Sequence, residues 1–324
     1  MALPSPKDWD IQFGPGVIKK SCGHMDDYVV LTSPTAWRSV RPQLQHKPKG
    51  IAFVTSQEAD YNESLVKQLP RTRFVLGIGG GMAIDAAKYV AWKHEAALIT
   101  IPTIVSSGAI FQSLFPQRRQ GRISIIPDIK APQQVLFDTD IIRKAPIHLN
   151  AAGMAECICW LARLASWRWW RDKGLPGPAW DQEAADEVEN WVTDRVGQYT
   201  RDLNSHGRPG ADAIRVCAML NTERFDLKIA KLKAGHAIDH LMDNTFVHVH
   251  RRSLLHGEMV ALGTLINNVL YGSRFNQCRD MLNACHTRYR PDAIGCTWEQ
   301  IFQTLQSIRE NCDAIGFAPT WLHH

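Results

Sequence analysis

The first half of the chain alternates short apolar runs with segments of helical periodicity. The runs are rich in β-branched and aromatic residues and lack polar alternation, which is typical of parallel strands buried on both faces. Between them, at 62–69 and 82–93, apolar residues recur at helical spacing. This βαβ series predicts an α/β fold that begins with a doubly wound, Rossmann-like parallel sheet. The runs lie at 28–32, 50–55, 73–77 and 97–101.

The second half has a different character, which begins near Ala145. No strand-like run interrupts its long amphipathic segments, and glycine and proline mark the breaks at 174–178 and 206–210. We therefore predict two domains, an α/β domain at residues 1–145 and an all-helical C-terminal domain at residues 146–324. The predicted helical segments lie at 150–171, 179–203, 211–225, 229–246, 254–275 and 298–312.

Composition limits the class of protein. The 324 residues include 37 Lys and Arg against 32 Asp and Glu, a net charge of +5, and the basic residues are dispersed. This favours an anionic small molecule over nucleic acid. The eight cysteines include no Cys-x-x-Cys pair, as expected of reduced thiols in a cytoplasmic protein. There is no apolar leader and no run of about eighteen apolar residues, so we expect neither secretion nor a membrane span.

A glycine-rich turn follows the third apolar run. Gly77, Gly79, Gly80 and Gly81 precede a helix that is predicted to begin near Met82. Glycines let the backbone approach a pyrophosphate, while the free N–H groups and the dipole of a helix N-terminus favour its charge. The pattern is not the Rossmann Gly-x-Gly-x-x-Gly, so a tight strand-to-helix turn without a ligand is an equal alternative.

Polar side chains near this turn each have two interpretations. Asp85 is a candidate cofactor contact or a carboxylate that compensates the helix dipole, and Lys88 is expected on a solvated face. Thr103, Ser106 and Ser107 follow the next apolar run, at the sheet edge where open α/β sheets bind ligands. Their hydroxyls could bind ribose or phosphate, or could satisfy local backbone groups. We favour ligand binding, because two adjacent loops would meet at one crevice.

A histidine-rich stretch in the second half indicates a candidate metal site. His236 and His240 are four residues apart in a predicted helix, which places both on one face, and His256 precedes the next helix. A third ligand from that helix could complete a metal site. Chance clustering is the alternative, because the chain contains 13 histidines. His248 and His250, between the candidates, are expected in a loop or at the surface.

Four tryptophans lie close together in the first predicted helix of the second half. A dense aromatic group on one helix favours packing against a neighbouring helix or against another subunit, and we expect a homo-oligomer. Base stacking on nucleic acid is the disfavoured alternative. The residues are Trp160, Trp167, Trp169 and Trp170.

Six motifs in register resemble the superfamily of iron-containing alcohol dehydrogenases, glycerol and glycerol-1-phosphate dehydrogenases and dehydroquinate synthases. Each motif is weak by itself, but all occur in family order across most of the chain. They are GGGMAIDAAKYVA at 79–91, IPTIVSS at 101–107, VLFDTD at 135–140 followed by Ala145-Pro146, AGMAE at 152–156, AGHAIDH at 234–240 and LHGEMVALGT at 255–264.

The resemblance implies a divalent metal ion, Zn²⁺ or Fe²⁺, held between the two domains by one acidic residue and two histidines. Carried over by motif, these ligands are Glu156, His236 and His256. Three protein ligands leave positions open for a substrate oxygen, where a metal lowers the pKa of an alcohol. His240 is then a catalytic helper that orients a ligand or relays a proton.

The resemblance also implies NAD or NADP as cofactor, bound by the N-terminal domain, with metal and substrate bound by the C-terminal domain. Ser33 stands where many relatives carry a carboxylate for the adenosine ribose, and Arg38 and Arg41 follow it. Because no carboxylate repels a 2′-phosphate there, we expect NADP to be accepted as well as NAD. The implied cofactor-binding residues are Ser33, Gly79, Gly80, Gly81, Asp85, Thr103, Ser106 and Ser107.

Departures from the family motifs concern the substrate. Glu156 in Gly-Met-Ala-Glu is similar to the dehydroquinate synthases, but the lysines of that activity are absent. Met82 and Gly108 replace a Lys and an Asp that the polyol dehydrogenases tend to carry. We expect an oxidoreductase that interconverts a primary or secondary alcohol and its carbonyl by hydride transfer, the substrate being a small polyol or polyol phosphate. Arg251 and Arg252 are candidates for its anionic group, with solvation as the alternative.

Two other functions stay open at this point. A dehydroquinate synthase-like cyclase or lyase would use metal and NAD on a sugar phosphate without net turnover of the nicotinamide. A binding protein would retain the fold after losing catalysis, which the changes at Met82 and Gly108 permit.

Overall fold

Two compact units make up the chain. The computed structural model describes residues 10–235 and 237–315. The first unit comprises the described residues up to Arg119 together with Ile123–Pro146. The second comprises Gln120–Arg122 together with the described residues from Ile147 onward.

A six-stranded parallel sheet forms the centre of the first unit. The strands along the described chain are β1 (Asp10–Gly14), β2 (Tyr28–Thr32), β3 (Gly50–Phe53), β4 (Phe74–Gly79), β5 (Ala97–Pro102), β6 (Phe115–Arg119), β7 (Arg122–Ile126) and β8 (Gln134–Asp138). The order in the large sheet is β1-β8-β5-β4-β2-β3, while β6 and β7 form a separate two-stranded sheet. Strands β2 to β5 are the predicted apolar runs, and the doubly wound, Rossmann-like sheet is confirmed.

Helices cover both faces of this sheet. They are α1 (Val17–Cys22), α2 (Pro34–Val40), α3 (Ala59–Gln68), α4 (Gly81–His94) and α5 (Thr139–Ile142). On one face, Val30 and Leu76 pack in a buried cluster with residues of α1 and α2. On the other face, Val29 and Leu98 pack with residues of α3 and α4. Two apolar faces explain why the strand sequences are continuously apolar rather than alternating.

The sequence patterns did not predict four strands. Every residue of β1 is at least partly exposed, because this strand lies at an edge of the sheet. Its sequence, DIQFG, is not an apolar run. The two-stranded sheet of β6 and β7 is also rich in polar residues. Strand β8 is buried, but it appeared only as part of a family motif.

The second unit is helical apart from residues 120–122, as predicted for the C-terminal domain. Its nine described helices are α6 (Ile147–Asp172), α7 (Gln182–His206), α8 (Ala211–Glu223), α9 (Lys228–Lys231), α10 (Asp239–His250), α11 (His256–Leu270), α12 (Phe275–Ala284), α13 (Pro291–Ile294) and α14 (Trp298–Ala314). Helices α12 and α13 were not predicted as separate elements. In the described chain, no helix is long and apolar enough to span a membrane.

One predicted helix is wrong. The segment 229–246 is not continuous, because α9 ends at Lys231 and α10 begins only at Asp239. Lys233 and Gly235 have φ values of 52° and 66° in the left-handed region, which a right-handed helix cannot accommodate. The carbonyl oxygen of Gly235 also accepts a hydrogen bond from Nε of Arg163 at 3.1 Å. His236, which was predicted to share one helix face with His240, lies outside the described residues.

The tryptophan group packs inside the second unit, as predicted. Rings of α6 contact aromatic residues of neighbouring elements at centroid distances of 4.8–6.4 Å, in the pairs Trp160–Trp191, Trp167–Trp180 and Trp169–Tyr271. Nε1 of Trp167 donates to the carbonyl oxygen of Pro178 at 2.9 Å. All eight cysteines lie in the described part of the chain, where they are buried and form no disulfide.

Candidate functional site

Three potential metal ligands converge in the second unit. Glu156 lies in the long helix α6, His240 in the first turn of α10, and His256 at the first position of α11. One ligand atom from each lies within 4.8 Å of the others. Glu156 is 2% exposed, whereas the side chains of His240 and His256 are 42% and 34% exposed. The cluster thus combines one buried carboxylate with two partly exposed imidazoles.

Two glycines allow the helices of the cluster to approach each other. A Cβ atom at Gly257 would collide with the carbonyl oxygen of Ala152 in α6. A Cβ atom at Gly263 would lie 2.6 Å from the Cα atom of Asp239, where α11 passes α10. The motif around His256 therefore combines a candidate ligand with Gly257, the small residue that allows α11 to pack closely against α6.

Each histidine of the cluster is held by a carboxylate. Nδ1 of His256 lies 3.0 Å from an oxygen of Asp243, and its Nε2 lies 2.9 Å from Oε1 of Glu156. Nδ1 of His240 lies 2.8 Å from an oxygen of Asp239, and its Nε2 lies 3.6 Å from Oε2 of Glu156. A carboxylate on Nδ1 fixes the ring and directs Nε2 inward, which is the common arrangement of metal-binding histidines.

The cluster is electrostatically coupled. Burial favours the neutral acid of Glu156, but hydrogen bonds from His240 and His256 outweigh it and hold the pKa of Glu156 well below its usual range. Burial also opposes the charged form of His240, yet Asp239 and Glu156 raise the pKa of His240 to about 9. Asp243 and Glu156 likewise outweigh burial and raise the pKa of His256 well above its usual range. A divalent cation at Glu156 would replace these protons.

The donor set fits a divalent transition metal. One carboxylate and two imidazoles with carboxylate support match catalytic zinc and non-haem iron sites, which keep positions open. A second group with ligand atoms within 4.8 Å of one another is formed by Cys159, Asp239 and His240. In this group Cys159 is buried, and burial raises the pKa of its thiol well above the usual value, which disfavours the thiolate that binds a metal. The group around Glu156 is therefore the better candidate for the metal ion.

The predicted site residues are distributed as follows. Glu156 and His256, two of the implied ligands, are adjacent, and His240, the implied helper, supplies a nitrogen to the same cluster. The third implied ligand, His236, is outside the described residues. His248 and His250 lie in the last turn of α10 and contact the backbone carbonyls of Gln120 and Gln300, so they are structural.

Three charged residues of the site were missed by sequence reasoning. Asp239 contacts His240, and Asp243 contacts His256. The sequence signal that could have identified them is their position one residue before and three residues after His240. Arg224 was not detectable, because it comes from the end of α8. Its Nη1 donates to Oε2 of Glu156 at 2.6 Å.

The glycine turn in the first unit is built for close approach. Gly79 ends β4 with φ of 143°, a conformation that favours glycine, and Gly80 caps α4 without a side-chain hydrogen bond. A Cβ atom at Gly77 would lie 2.8 Å from Cβ of Ala87. A Cβ atom at Gly81 would lie 2.8 Å from Oγ of Ser107, so the glycine turn touches the hydroxyl-rich loop. The two loops are therefore adjacent, as predicted.

The candidate hydroxyls line the same edge of the sheet. Strands β2, β4 and β5 are parallel neighbours, so Ser33, the glycine turn and Thr103 follow their carboxyl ends. The backbone N–H of Thr103 donates to the carbonyl oxygen of Gly79 at 3.1 Å. Oγ of Ser33 accepts from the N–H of Ala36 at 3.3 Å, which also makes Ser33 the N-cap of α2.

Asp85 and Lys88 form an internal ion pair. Nζ of Lys88 lies 2.8 Å from Oδ1 of Asp85, and both side chains are buried. The expectation that Lys88 is solvated is therefore wrong, because its ammonium is sequestered by Asp85 and by the carbonyl oxygen of Leu114 at 3.4 Å. The pair fixes the first turns of α4 directly behind the glycine turn.

The arginines that were predicted near the cofactor and the substrate mostly form hydrogen bonds within the chain. Nη1 of Arg41 donates to the carbonyl oxygen of Leu44 at 2.6 Å, whereas Arg38 is exposed beside Thr35. Arg251 and Arg252 are both exposed, and Arg252 donates to the carbonyl oxygen of Gly295.

Comparison with known proteins shows which proteins the chain is similar to. The family model for iron-containing alcohol dehydrogenase matches residues 18–146. Glycerol-1-phosphate dehydrogenase [NAD(P)+] of Hyperthermus butylicus is 26% identical over 301 residues, covering 89% of this chain and 83% of the relative. The Aeropyrum pernix protein of the same name is 24% identical over 310 residues, covering 91% and 87%. These matches support a relationship to the iron-containing alcohol dehydrogenase superfamily.

Solved structures of two dehydrogenases share the fold of this chain over almost its whole length. Glycerol dehydrogenase from Schizosaccharomyces pombe superposes with a TM-score of 0.66 at 20% identity, covering 98% of this chain and 93% of that one. NADH-dependent butanol dehydrogenase A from Thermotoga maritima gives a TM-score of 0.67 at 12% identity, covering 97% and 91%. The likeness therefore extends beyond the segment matched by the family model.

Proposed function

We propose that the chain is a metal-dependent, NAD(P)-linked dehydrogenase that interconverts the alcohol of a small polyol or polyol phosphate and its carbonyl. The cluster of Glu156, His240 and His256 is the observation that carries this proposal. Two imidazoles backed by carboxylates, beside a buried glutamate, form a site suited to a divalent metal ion. The names of the relatives agree with this chemistry.

The helical unit would hold the metal and the substrate. Glu156 and His256 are ligands in this proposal. The motif implies His236 as the third ligand and His240 as the helper, whereas the geometry also offers Nε2 of His240 as a donor, and the histidine variants below decide between the two. A bound Zn²⁺ or Fe²⁺ would supply Lewis acidity that lowers the pKa of a substrate hydroxyl. Asp243 accepts a hydrogen bond from Nδ1–H of His256, which keeps the proton on Nδ1 and leaves the lone pair of Nε2 available to bind. Asp239 does the same for His240.

The α/β unit would bind the nicotinamide cofactor. The glycine turn at 79–81 offers backbone N–H groups at the start of α4, where a pyrophosphate is favoured. Thr103, Ser106 and Ser107 supply hydroxyls beside it. Ser33 replaces the carboxylate that would repel a 2′-phosphate, which supports acceptance of both NAD and NADP. The pair of Asp85 and Lys88 would hold the turn in place.

A polyol phosphate is the substrate class that we favour. The relatives from Hyperthermus butylicus and Aeropyrum pernix are named as dehydrogenases of glycerol 1-phosphate. An anionic substrate also agrees with the net charge of +5. The cyclase or lyase alternative is not favoured, because the named relatives are dehydrogenases.

We further propose a cytoplasmic homo-oligomer. The absence of disulfides among the eight cysteines supports the location. Exposed apolar side chains on α11 and α14 support association, since Val269, Leu270, Trp298 and Phe302 are between 58% and 66% exposed. Light scattering coupled to size exclusion would give the mass of the particle, and a monomer at micromolar concentration would contradict this part.

Metal content and turnover test the proposal together. The wild-type protein is expected to bind one divalent ion per chain and to reduce NAD(P)⁺ with glycerol 1-phosphate. Glu156→Gln and His256→Ala should lose both properties, whereas the matched control His248→Ala should keep them. Comparison of His236→Ala with His240→Ala separates ligand from helper, because only the ligand variant loses the metal. Phosphate release without net reduction of the nicotinamide would instead favour the lyase.

A further inference from the structure

Arg224 binds one oxygen of the candidate metal carboxylate. Its Nη1 lies 2.6 Å from Oε2 of Glu156, and the two side chains are 12% and 2% exposed. A hydrogen bond between a guanidinium and a carboxylate in such surroundings is strong, because both partners are charged and little water competes. Oε2 of Glu156 is therefore held in a strong hydrogen bond with Arg224.

The guanidinium of Arg224 is itself held in place. The preceding residue, Glu223, accepts hydrogen bonds from Arg195 at 2.7 Å and from Trp191 at 3.1 Å, which fasten the end of α8 to α7. The guanidinium also lies 5.1 Å from the ring centroid of Phe225. A swing of Arg224 away from Glu156 would therefore break packing as well as a hydrogen bond.

The other oxygen of Glu156 has a different environment. Oε1 lies 2.9 Å from Nε2 of His256, the nitrogen that would bind a metal ion. The two oxygens of this carboxylate are therefore not equivalent. Oε2 is bonded to the Arg224 guanidinium at 2.6 Å, with Nε2 of His240 farther away at 3.6 Å, whereas the nitrogen beside Oε1 is that of His256.

We propose that Arg224 is a positioning residue that makes Glu156 a one-oxygen metal ligand. Carboxylates bind metals through one oxygen or through both, and Arg224 blocks the second mode by occupying Oε2. With one oxygen and two imidazoles the protein supplies three donors, which leaves a position open for substrate. With both oxygens bound, the protein would supply four donors and fill a tetrahedral site. The proposal rests on the proposed metal site and explains how that site stays open.

Cobalt substitution tests this role without measuring turnover. Wild-type protein, Arg224→Met and Arg224→Lys are stripped of metal and reloaded with one equivalent of Co²⁺, and their visible spectra are recorded. Arg224→Met should show weaker d–d absorption, because a second carboxylate oxygen raises the coordination number. X-ray absorption of the Zn²⁺-loaded proteins should show one additional light-atom ligand in this variant. Arg224→Lys should keep the wild-type spectrum, since an ammonium can still donate to Oε2.

A matched control removes an equivalent ion pair outside the cluster. Nε of Arg288 lies 2.6 Å from an oxygen of the buried Glu258, so Arg288→Met also strips an arginine from a buried glutamate. Its Co²⁺ spectrum should equal that of the wild type. Identical spectra and ligand numbers for Arg224→Met and the wild type would overturn the positioning role. If the wild type itself binds no metal, the proposed function fails instead, so the two failures are distinguishable. If Arg224→Met does not fold, Arg224→Ala, which also removes every donor to Oε2, gives the same comparison.

Discussion

Nε2 of His256 lies 2.9 Å from Oε1 of Glu156, while Nδ1 of the same ring lies 3.0 Å from Asp243. This histidine therefore connects two carboxylates, one of them a buried residue on another helix. Such a ring is fixed in orientation before any ligand arrives, which reduces the entropy cost of metal binding.

Replacing Glu156 by Gln should abolish metal binding and weaken the fold. The substitution keeps the side-chain volume but leaves Arg224 and two histidines without their shared anion. Breaking a buried ion pair costs about 3 kcal/mol, so the metal-free variant should unfold at lower denaturant concentration. Urea unfolding followed by circular dichroism measures this, and an unchanged midpoint would contradict the ion-pair account.

The carboxylate of Asp243 should contribute to metal affinity without touching the metal. Asp243→Asn retains a hydrogen-bond acceptor but removes the charge beside Nδ1 of His256. Loss of such a partner typically weakens metal binding by about 10–100-fold. Competition with a chelator of known affinity gives the dissociation constant. The exposed Asp280 is a suitable control, and equal affinities for Asp243→Asn and Asp280→Asn would show that Asp243 has no supporting role.

Stability should depend on pH in opposite directions with and without metal. In the metal-free protein the pKa of His240 is raised from 6.5 to about 9, so its stabilising charge is fully present below pH 6.5. That contribution is lost as the pH rises through about 9. Metal binding needs neutral imidazoles and therefore strengthens as the pH rises. The difference in melting temperature between metal-loaded and chelator-treated protein should widen from pH 6 to pH 9, and a constant difference would be inconsistent with proton displacement.

Gly257→Ala should separate the two helices that carry Glu156 and His256. The new methyl group would collide with the carbonyl oxygen of Ala152, so α11 must shift from α6. We expect a loss of about 3 kcal/mol in unfolding free energy together with weaker metal binding. Gly197→Ala is the matched control, because its methyl group meets only the end of the Arg201 side chain at 3.3 Å. It should stabilise α7 by about 0.5–1 kcal/mol.

The glycine turn predicts an effect on cofactor binding alone. Gly79 has φ of 143°, so Gly79→Ala strains the turn by about 1–3 kcal/mol or forces it to move. We expect NAD(P)H to bind about tenfold more weakly, with unchanged metal content. Gly174→Ala has a similar backbone penalty at φ of 64°, with open space around the new methyl group. Fluorescence titration of NAD(P)H compares the two, and a loss of affinity in both would indicate a general effect on folding.

Local sequence patterns predicted the strands and helices whose burial produces one simple periodicity in the sequence. Strands β2 to β5 have continuous apolar runs because both faces of the sheet are covered, and the long helices of the second unit have amphipathic periodicity. The edge strand β1 escaped prediction because one side of it faces solvent. The segment 229–246 was predicted as one helix because its apolar spacing is helical, but Lys233 and Gly235 adopt left-handed conformations there.

The candidate site was predictable only as far as its motifs extend. Glu156, His240 and His256 belong to segments that resemble the superfamily, and the fold brings them together. Arg224 lies 68 residues from Glu156 in sequence and in no recognised motif, so only the packing of α8 against α6 reveals the pair. The burial of Lys88 could not be predicted either. Helical periodicity assigns a residue to one face of a helix, but it does not show which element packs against that face.

Metal-dependent turnover is the most direct test of the proposed function. Wild-type protein is stripped with a chelator, and the rate of NAD(P)⁺ reduction with a polyol phosphate is measured as Zn²⁺ or Fe²⁺ is added back. The rate should rise from near zero and saturate at one ion per chain, and His256→Ala should show no recovery. Full turnover by metal-free protein, or recovery in His256→Ala equal to that of the wild type, would contradict the proposed metal centre.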